Sequence, residues 1–484
     1  MKTNVFLLLS GIAVCIAGCK MAPEYTRPEA PVPTAWPTGE AYEEIPAEPN
    51  APTAVELPWR EFFTDEKLQQ VIETALDNNR DLRLAGLNVE LARSLYHIQR
   101  DELYPAAYAT AAGGEQRSSA DLMPPGQSRT AKQYSVNLGI LSWELDFFGR
   151  LRNLKDQALQ QYLATEQAQR SAQILLVSSV GNAYLALAAD REALALAEDT
   201  LRTQEAAYRL VQRQYEVGIA TELDLRRAQT PVDTARRDIA AYTQLVAQDE
   251  NALNLLVGSA VAADLLPSHL GSITPPSDIS LALSSEALLD RPDIVAAEHQ
   301  LQGAYANIGA ARAAFFPSIS LTTMFGTASN ELSGLFESGS DTWSYAPQVA
   351  MPIFDARTWS AYEVTKAQRD LAVAEYEKAI QNAFREVADA LAVRGTVDRQ
   401  IAAQQSLVNA TSETYRLSNT RYDKGLDSYL SVLDAQRSLY VTQQGLVYLR
   451  LAKLGNQVTL YTVLGGGGDS AADSPDREPV RSGK

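Results

Sequence analysis

Apolar positions along this chain recur with two periods, and the two periods occupy separate stretches. From about 149 to 257, and again from about 357 to 464, the spacing is seven. Val180, Leu187, Leu194, Leu201, Tyr208 and Tyr215 form one stripe, and Leu225, Val232, Ile239, Val246 and Leu253 a second. Ile401, Val408, Tyr415 and Tyr422 form a third, and Val432, Leu439, Leu446, Lys453 and Leu460 a fourth, broken by its lysine. A strict period of seven predicts helices packed along their length with a supercoil, as in coiled coils. Alanine, abundant between the stripes, favours helix and close approach. The first helix, from about Gly149 to Val217, would be on the order of 100 Å long at 1.5 Å per residue. Gly218 and Gly425 stand where one long helix stops and the next begins, and glycine there supplies the left-handed cap of a tight helical hairpin. Pro231, inside the second stripe, predicts a kink.

Ahead of each long helix the period drops to two. Tyr134, Val136, Leu138 and Ile140 alternate with Gln133, Ser135, Asn137 and Gly139. Ile319, Leu321 and Phe325 alternate with Ser318, Ser320 and Thr322, and Trp343, Tyr345, Val349, Met351 and Ile353 with small or polar residues. These segments predict β-hairpins over about 103–146 and 315–354. Outward loops are expected around Met123–Gly126 and from Gly334 to Asp341. One apolar and one small polar face suit lipid on one side and water on the other. A soluble β-sandwich would show the same alternation. Aromatics gather near the strand ends at Tyr104, Trp143, Phe147, Phe148, Phe315, Phe316 and Phe354, as at a membrane–water interface. Four strands cannot close a barrel, because the smallest have eight. An open edge is not tolerated in lipid. The chain is therefore expected to oligomerise, two copies giving eight strands and three giving twelve, and the spacing does not choose between them.

The chain also repeats itself. At an offset of 207, Tyr208-Arg209-Leu210 falls on Tyr415-Arg416-Leu417, Tyr215 on Tyr422, Gly218 on Gly425, Leu223 on Leu430 and Gly258 on Gly465. At an offset of 212, Asp81 falls on Asp293, Arg100 on Arg312, Pro105 on Pro317 and Gly114 on Gly326. Each copy holds a helix, a strand pair and a long helical hairpin, which assigns 61–260 to repeat 1, 261–285 to a linker and 286–464 to repeat 2.

The first residues are of another kind. Lys2 and the apolar run Val5 to Ile16 read as a secretory signal over 1–18, and Ile16-Ala17-Gly18-Cys19 resembles a bacterial lipobox, which would put acyl chains on Cys19. Lys20, rather than aspartate, follows the cysteine and points to the outer membrane. Prolines crowd the stretch from Pro23 to Pro58, so 19–60 is expected to be an extended strap between lipid and body. The glycine-led segment 465–484 is expected to be a disordered tail. After the signal, no uninterrupted apolar run long enough for a membrane helix stands out. A net charge of −17 argues against nucleic acid. Only Cys15 and Cys19 occur, and His97, His269 and His299 lack ligand spacing, so neither a disulfide nor a metal site is expected. No nucleophile–base pair or phosphate loop is visible, and no enzyme activity or cofactor is expected beyond the lipid on Cys19.

Pro23-Glu24-Tyr25 with Arg27-Pro28, Asp146-Phe147-Phe148-Gly149-Arg150, Arg291-Pro292-Asp293-Ile294, Ala311 through Ile319, and Arg421-Tyr422-Asp423-Lys424-Gly425 with Asp434-Ala435-Gln436-Arg437 together resemble the outer-membrane factor family of tripartite efflux pumps, in its lipidated drug-efflux branch. The resemblance covers nearly the whole mature chain. It implies an α+β membrane protein: a homotrimer in which each chain adds four strands to a 12-stranded transmembrane β-barrel and its long helices to a periplasmic α-barrel. The linker and the termini would form an equatorial belt. The implied partners are outer-membrane lipids, a periplasmic adaptor and a proton-driven inner-membrane transporter of the resistance–nodulation–division (RND) type. The implied periplasmic gate is Tyr422, Leu430, Asp434 and Arg437, with Gly218 and Gly425 at adaptor-facing tips. Leu430 and Asp434 share a helix face, and a leucine ring with a carboxylate ring would block solutes and favour cations. Asp434 and Arg437 are three apart and could instead simply pair. Copy one carries Arg227 where copy two has Asp434, which suggests that copy two moves and that Arg227 is a latch partner. A duct for metal ions or proteins, or a structural coiled-coil lipoprotein without a pore, are the competing readings.

Overall fold

The computed structural model describes residues 21–42, 53–54, 57–277, 279 and 284–468. The signal, Cys19 and everything after 468 lie outside them. In chain order the elements are α1 (Trp59–Phe62), α2 (Glu66–Asn78), α3 (Arg80–Asp101), β1 (Ala107–Arg117), β2 (Thr130–Glu144), α4 (Arg150–Glu216), α5 (Glu222–Val257), α6 (Pro292–Ala313), β3 (Ser318–Ser329), β4 (Asp341–Ala350), α7 (Ala356–Asp423) and α8 (Tyr429–Val463). The chain divides into two compact units.

The first unit holds the strands, with residues up to Glu29, Asn88–Glu166 and Ala296–Tyr376. They form one antiparallel sheet in the order β1-β2-β3-β4. Register carries the alternation across it. Leu138 pairs with Ala109 and Phe325, and Phe325 with Trp343; Ile140 pairs with Thr323, and Thr323 with Tyr345. Directly paired residues share a face, so the apolar positions of both hairpins gather on one side. That side is not covered by the chain: Leu138, Phe325, Trp343 and Tyr345 are all exposed. A bulge between Ile140 and Trp143 brings Trp143 opposite Leu321, hence onto the same face although its number has the other parity. Gly139 and Gly326 lie on the opposite face where β2 and β3 approach closely. A Cβ on either would collide with the partner strand's backbone, at Thr323 and Val136 respectively. The N-terminal strap docks in this unit. The Tyr25 hydroxyl donates to Glu298 Oε1 at 2.9 Å and Arg27 donates to both oxygens of Glu298.

The second unit comprises Ala30–Leu87, Gln167–Val295 and the chain from Glu377 onward. It holds most of the two helical hairpins, α4/α5 and α7/α8. Burial follows the predicted stripes only in part. Val180, Leu187, Val232, Leu253, Val432, Leu446 and Leu460 are buried. In α4 beyond Leu187, however, the buried seam is Ala197, Gln204 and Val211, while Leu194, Leu201 and Tyr208 are half-buried and Tyr215 is exposed. An α-helix turns 3.6 residues, so a seven-residue stripe drifts around a straight helix and a neighbouring stripe takes over. Lys453 sits in its stripe by pairing with Asp398 at 2.7 Å. Pro231 does not end α5, which runs on as one helix. An 18-residue stretch of α4 is long and apolar enough on average to cross a membrane, although polar residues such as Gln173, Ser178 and Asn182 interrupt the apolar part of the helix. It is 61% buried within the protein, as in a packed core helix.

The linker is knitted to the strap end of the chain. The Ser285 amide donates to the Thr34 carbonyl at 3.0 Å and the Ser277 amide to that of Phe62 at 2.8 Å. Trp36 stacks on Phe384. Phe62 stacks on Tyr461 at 3.9 Å, and the Tyr461 hydroxyl donates to the Leu57 carbonyl at 2.6 Å. Gly465, Gly466 and Gly467, expected in a loose tail, are instead a buried turn against Tyr461. There is no room beside the Tyr461 ring for a side chain at 466. Arg291 is buried too, donating to the Val463 carbonyl (2.7 Å) and pairing with Asp293 (2.8 Å) and Glu386 (3.1 Å).

Candidate functional site

Each helical hairpin turns on a glycine with positive φ, Gly218 at 82° and Gly425 at 71°. The amide after each reaches back to close the helix end, Ile219 to the Gln214 carbonyl and Leu426 to that of Arg421. The next helices start differently. In copy one, Thr221 and Asp224 form a reciprocal capping box. In copy two, Ser428 makes no side-chain cap. There the turn is clasped by Arg421 on Asp427, with contacts of 2.6 and 3.2 Å, and the Arg421 hydrogen bond holds the Asp427 carboxyl below its usual range.

Next to that turn the Tyr422 hydroxyl donates to Gln214 Oε1 at 3.3 Å, joining α7 to α4. Its ring lies 5.2 Å from that of Tyr429. Burial, then the neighbouring Tyr415 and Tyr422 phenols, push the Tyr429 hydroxyl up to about 12. Further along α8, Leu430, Asp434 and Arg437 line a groove of about 310 Å³ with Arg227, Pro231 and Tyr440. The structure thus brings four of the five expected gate and latch residues to one place, and sets Tyr422 apart at the turn. Asp434 and Arg437 pair with each other at 2.7 Å, both exposed. Such an i,i+3 pair contributes only about 0.2–0.5 kcal/mol. Arg227 makes no ion pair with Asp434, nor any hydrogen bond among the described residues.

Two further links between the hairpins were missed in the sequence. The Tyr440 hydroxyl donates to Asp238 Oδ2 at 3.2 Å, and Gln444 donates to the Tyr242 hydroxyl at 2.9 Å. Burial, then the Asp238 charge, raise the Tyr440 phenol well above its ordinary value. Within copy one, Asp190 on α4 and Asp249 on α5 meet carboxyl to carboxyl. Burial first, then the hydrogen bond and charge of Asp190, push Asp249 up to about 6. The signal for these was the offset of 207. Copy two has Gly445 for Asp238, Leu449 for Tyr242, Val397 for Asp190 and Asn456 for Asp249. Polar residues that a repeat does not share mark contacts the repeat does not impose.

Residues 71–259 and 283–466 match the family model described as outer membrane efflux protein, one stretch for each copy of the repeat. Two relatives from Pseudomonas putida, the antibiotic efflux pump outer membrane protein ArpC and the toluene efflux pump outer membrane protein TtgC, are each 47% identical over 466 residues, 96% of either chain. The open-state MtrE outer membrane channel of Neisseria gonorrhoeae is similar in structure, with TM-score 0.83 and 36% identity over 93% of this chain and 98% of that one.

Proposed function

The chain belongs to the outer membrane efflux protein family, whose members are outer-membrane channels reaching into the periplasm, and from that premise we propose that it is the trimeric exit duct of an RND-type tripartite pump for toxic organic compounds. The carrying observation is the sheet. Its edge strands β1 and β4 have no further partner among the described residues, and its apolar face is bare. Unpaired backbone in lipid costs several kcal/mol per group, so the edges must meet those of other copies. Three chains give a 12-stranded barrel. A heptad of exposed apolar residues on α3, Leu84, Leu87, Leu91, Leu95 and Ile98, supports packing of helices between copies as well. Acyl chains on Cys19 tether the strap to the outer membrane. The efflux of antibiotics and toluene named for the relatives supports small organic cargo over metal ions or proteins.

In this reading the Gly218 and Gly425 turns face the periplasmic adaptor. Leu430, Asp434 and Arg437 narrow the lumen, and Tyr422 is one tie holding the copy-two hairpin to copy one. Copy two swings and copy one, through Arg227 among others, is the rim it closes on. The test is single-channel conductance in a planar bilayer. The wild type should give a small, cation-preferring conductance that rises or loses selectivity in Asp434→Ala. A disulfide engineered between the copy-two and copy-one hairpins should abolish transport. A large ungated wild-type conductance, or transport through the cross-linked protein, would overturn the gate assignment.

A further inference from the structure

Gln204, on α4, lines the groove described above while only 4% exposed, and its carboxamide is unanswered: Oε1 is buried with no partner, and Nε2 makes no hydrogen bond among the described residues. Buried polar groups are nearly always bonded, and one that is not leaves a place that a water or a ligand can fill. The repeat shows what has been left open. At the equivalent place in copy two, Thr411 and Thr442 bond to each other at 3.0 Å. Copy one has Gln204 for Thr411 and Ala235 for Thr442, so the larger amide faces a methyl group that cannot reply. Arg227 in the same groove offers five N–H donors and uses none of them among the described residues. Pro231, four residues on, has no N–H, so the Arg227 carbonyl also lacks its helical bond. Arg437 adds a second guanidinium, paired with Asp434; the charged residues lining the groove are two cations and one anion, with the Asp224 carboxylate near Arg227 but not in the lining. Leu430, Leu433 and Pro231 give it an apolar wall.

We propose that this groove binds a small amphipathic organic anion: an arene whose carboxylate or sulfonate pairs with Arg227, whose N–H or O–H engages Gln204, and whose ring lies on the apolar wall. Arginine is suited to that anion because a guanidinium meets a carboxylate through two parallel bonds. The volume of about 310 Å³ is at the small end for organic ligands. The lining residues come from α4 and α5 of copy one and α8 of copy two. An occupant therefore ties the two hairpins together and acts as a wedge against opening. That consequence rests on the gate reading above, whereas binding itself does not.

The experiment uses the full-length protein in lipid nanodiscs, titrated with indole-3-acetate by calorimetry, with empty nanodiscs as the blank. Saturable submillimolar binding at one site per chain is expected. Arg227→Ala and Gln204→Leu should each weaken it at least tenfold, and Arg209→Ala, which removes an exposed cation elsewhere on α4, should leave it unchanged. Gln204→Leu keeps the side chain's bulk and removes the unanswered amide, so loss of binding there is not a folding defect. No saturable binding into the millimolar range, or equal binding in all variants, overturns the proposal and leaves a groove that holds water. The same ligand should lower wild-type conductance. Binding that depends on Arg227 and Gln204 without any change in conductance would uphold the site and count against the gate.

Discussion

Asp249→Asn separates one proton from everything else in the copy-one hairpin. In the folded chain the Asp249 carboxyl, beside Asp190, is held at about 6 against an ordinary 3.8, with burial the largest cause. Because the folded value is raised, the pair's contribution is fully present below about pH 4 and is lost as pH rises through about 6. At neutral pH the α4/α5 contact therefore carries a charge–charge conflict that acid relieves. A shift of that size corresponds to roughly 3 kcal/mol at 1.36 kcal/mol per tenfold in proton affinity. Both residues are only partly buried, so solvent screening reduces this to about 1 kcal/mol. Asparagine is neutral throughout and donates to Asp190, and copy two already uses it: Asn456 donates to the Ala390 carbonyl at 3.1 Å. Amide hydrogen exchange over α4 and α5 around these residues reads the effect. After correction for intrinsic rates, wild-type protection should fall about five-fold between pH 5 and pH 7.5. In Asp249→Asn that fall should vanish and protection at pH 7.5 should rise to the acid value. A variant that keeps the wild-type pH profile would refute the shared proton.

Gly139→Val drives a side chain into the β3 backbone at Thr323; it should cost beyond about 4 kcal/mol and abolish assembled, heat-modifiable oligomer on a gel, whereas the neighbouring exposed Leu138→Val should assemble normally. Glu298→Gln removes the anion that holds Tyr25 and Arg27. Burial opposes ionisation of Glu298, but the Arg27 and Tyr25 hydrogen bonds outweigh it and its carboxyl lies below the usual range. The clasp is thus present at neutral pH and lost as pH falls through that lowered value. The variant should lose about 1–2 kcal/mol of strap docking, since Arg27 is half-exposed, and limited proteolysis near Arg27 should quicken at pH 7.

Periodicity, offset and glycine placement by themselves determined the elements of this protein. A period of seven needs a helix and a period of two a strand, because each sets which side chains share a face. Gly218 and Gly425 mark turns because only glycine takes positive φ without strain. The offset of 207 sets Arg227 against Asp434 within the sequence itself. What tertiary structure alone decided were relations between residues far apart in the chain. The pairing of β2 with β3 joins the two hairpins into one sheet, and a bulge, invisible to the alternation, moves Trp143 to the apolar face. The switch of the buried seam from Leu194 to Ala197 follows from the mismatch between 3.5 and 3.6 residues per turn, which a stripe read along the sequence does not register. Gly466 looked like the start of a tail because its packing against Tyr461 comes from a ring five residues back and from Ala54, more than four hundred residues away. Whether Asp249 holds a proton or Gln204 goes unanswered depends on what the neighbouring helix places opposite, and no single helix carries that in its own spacing.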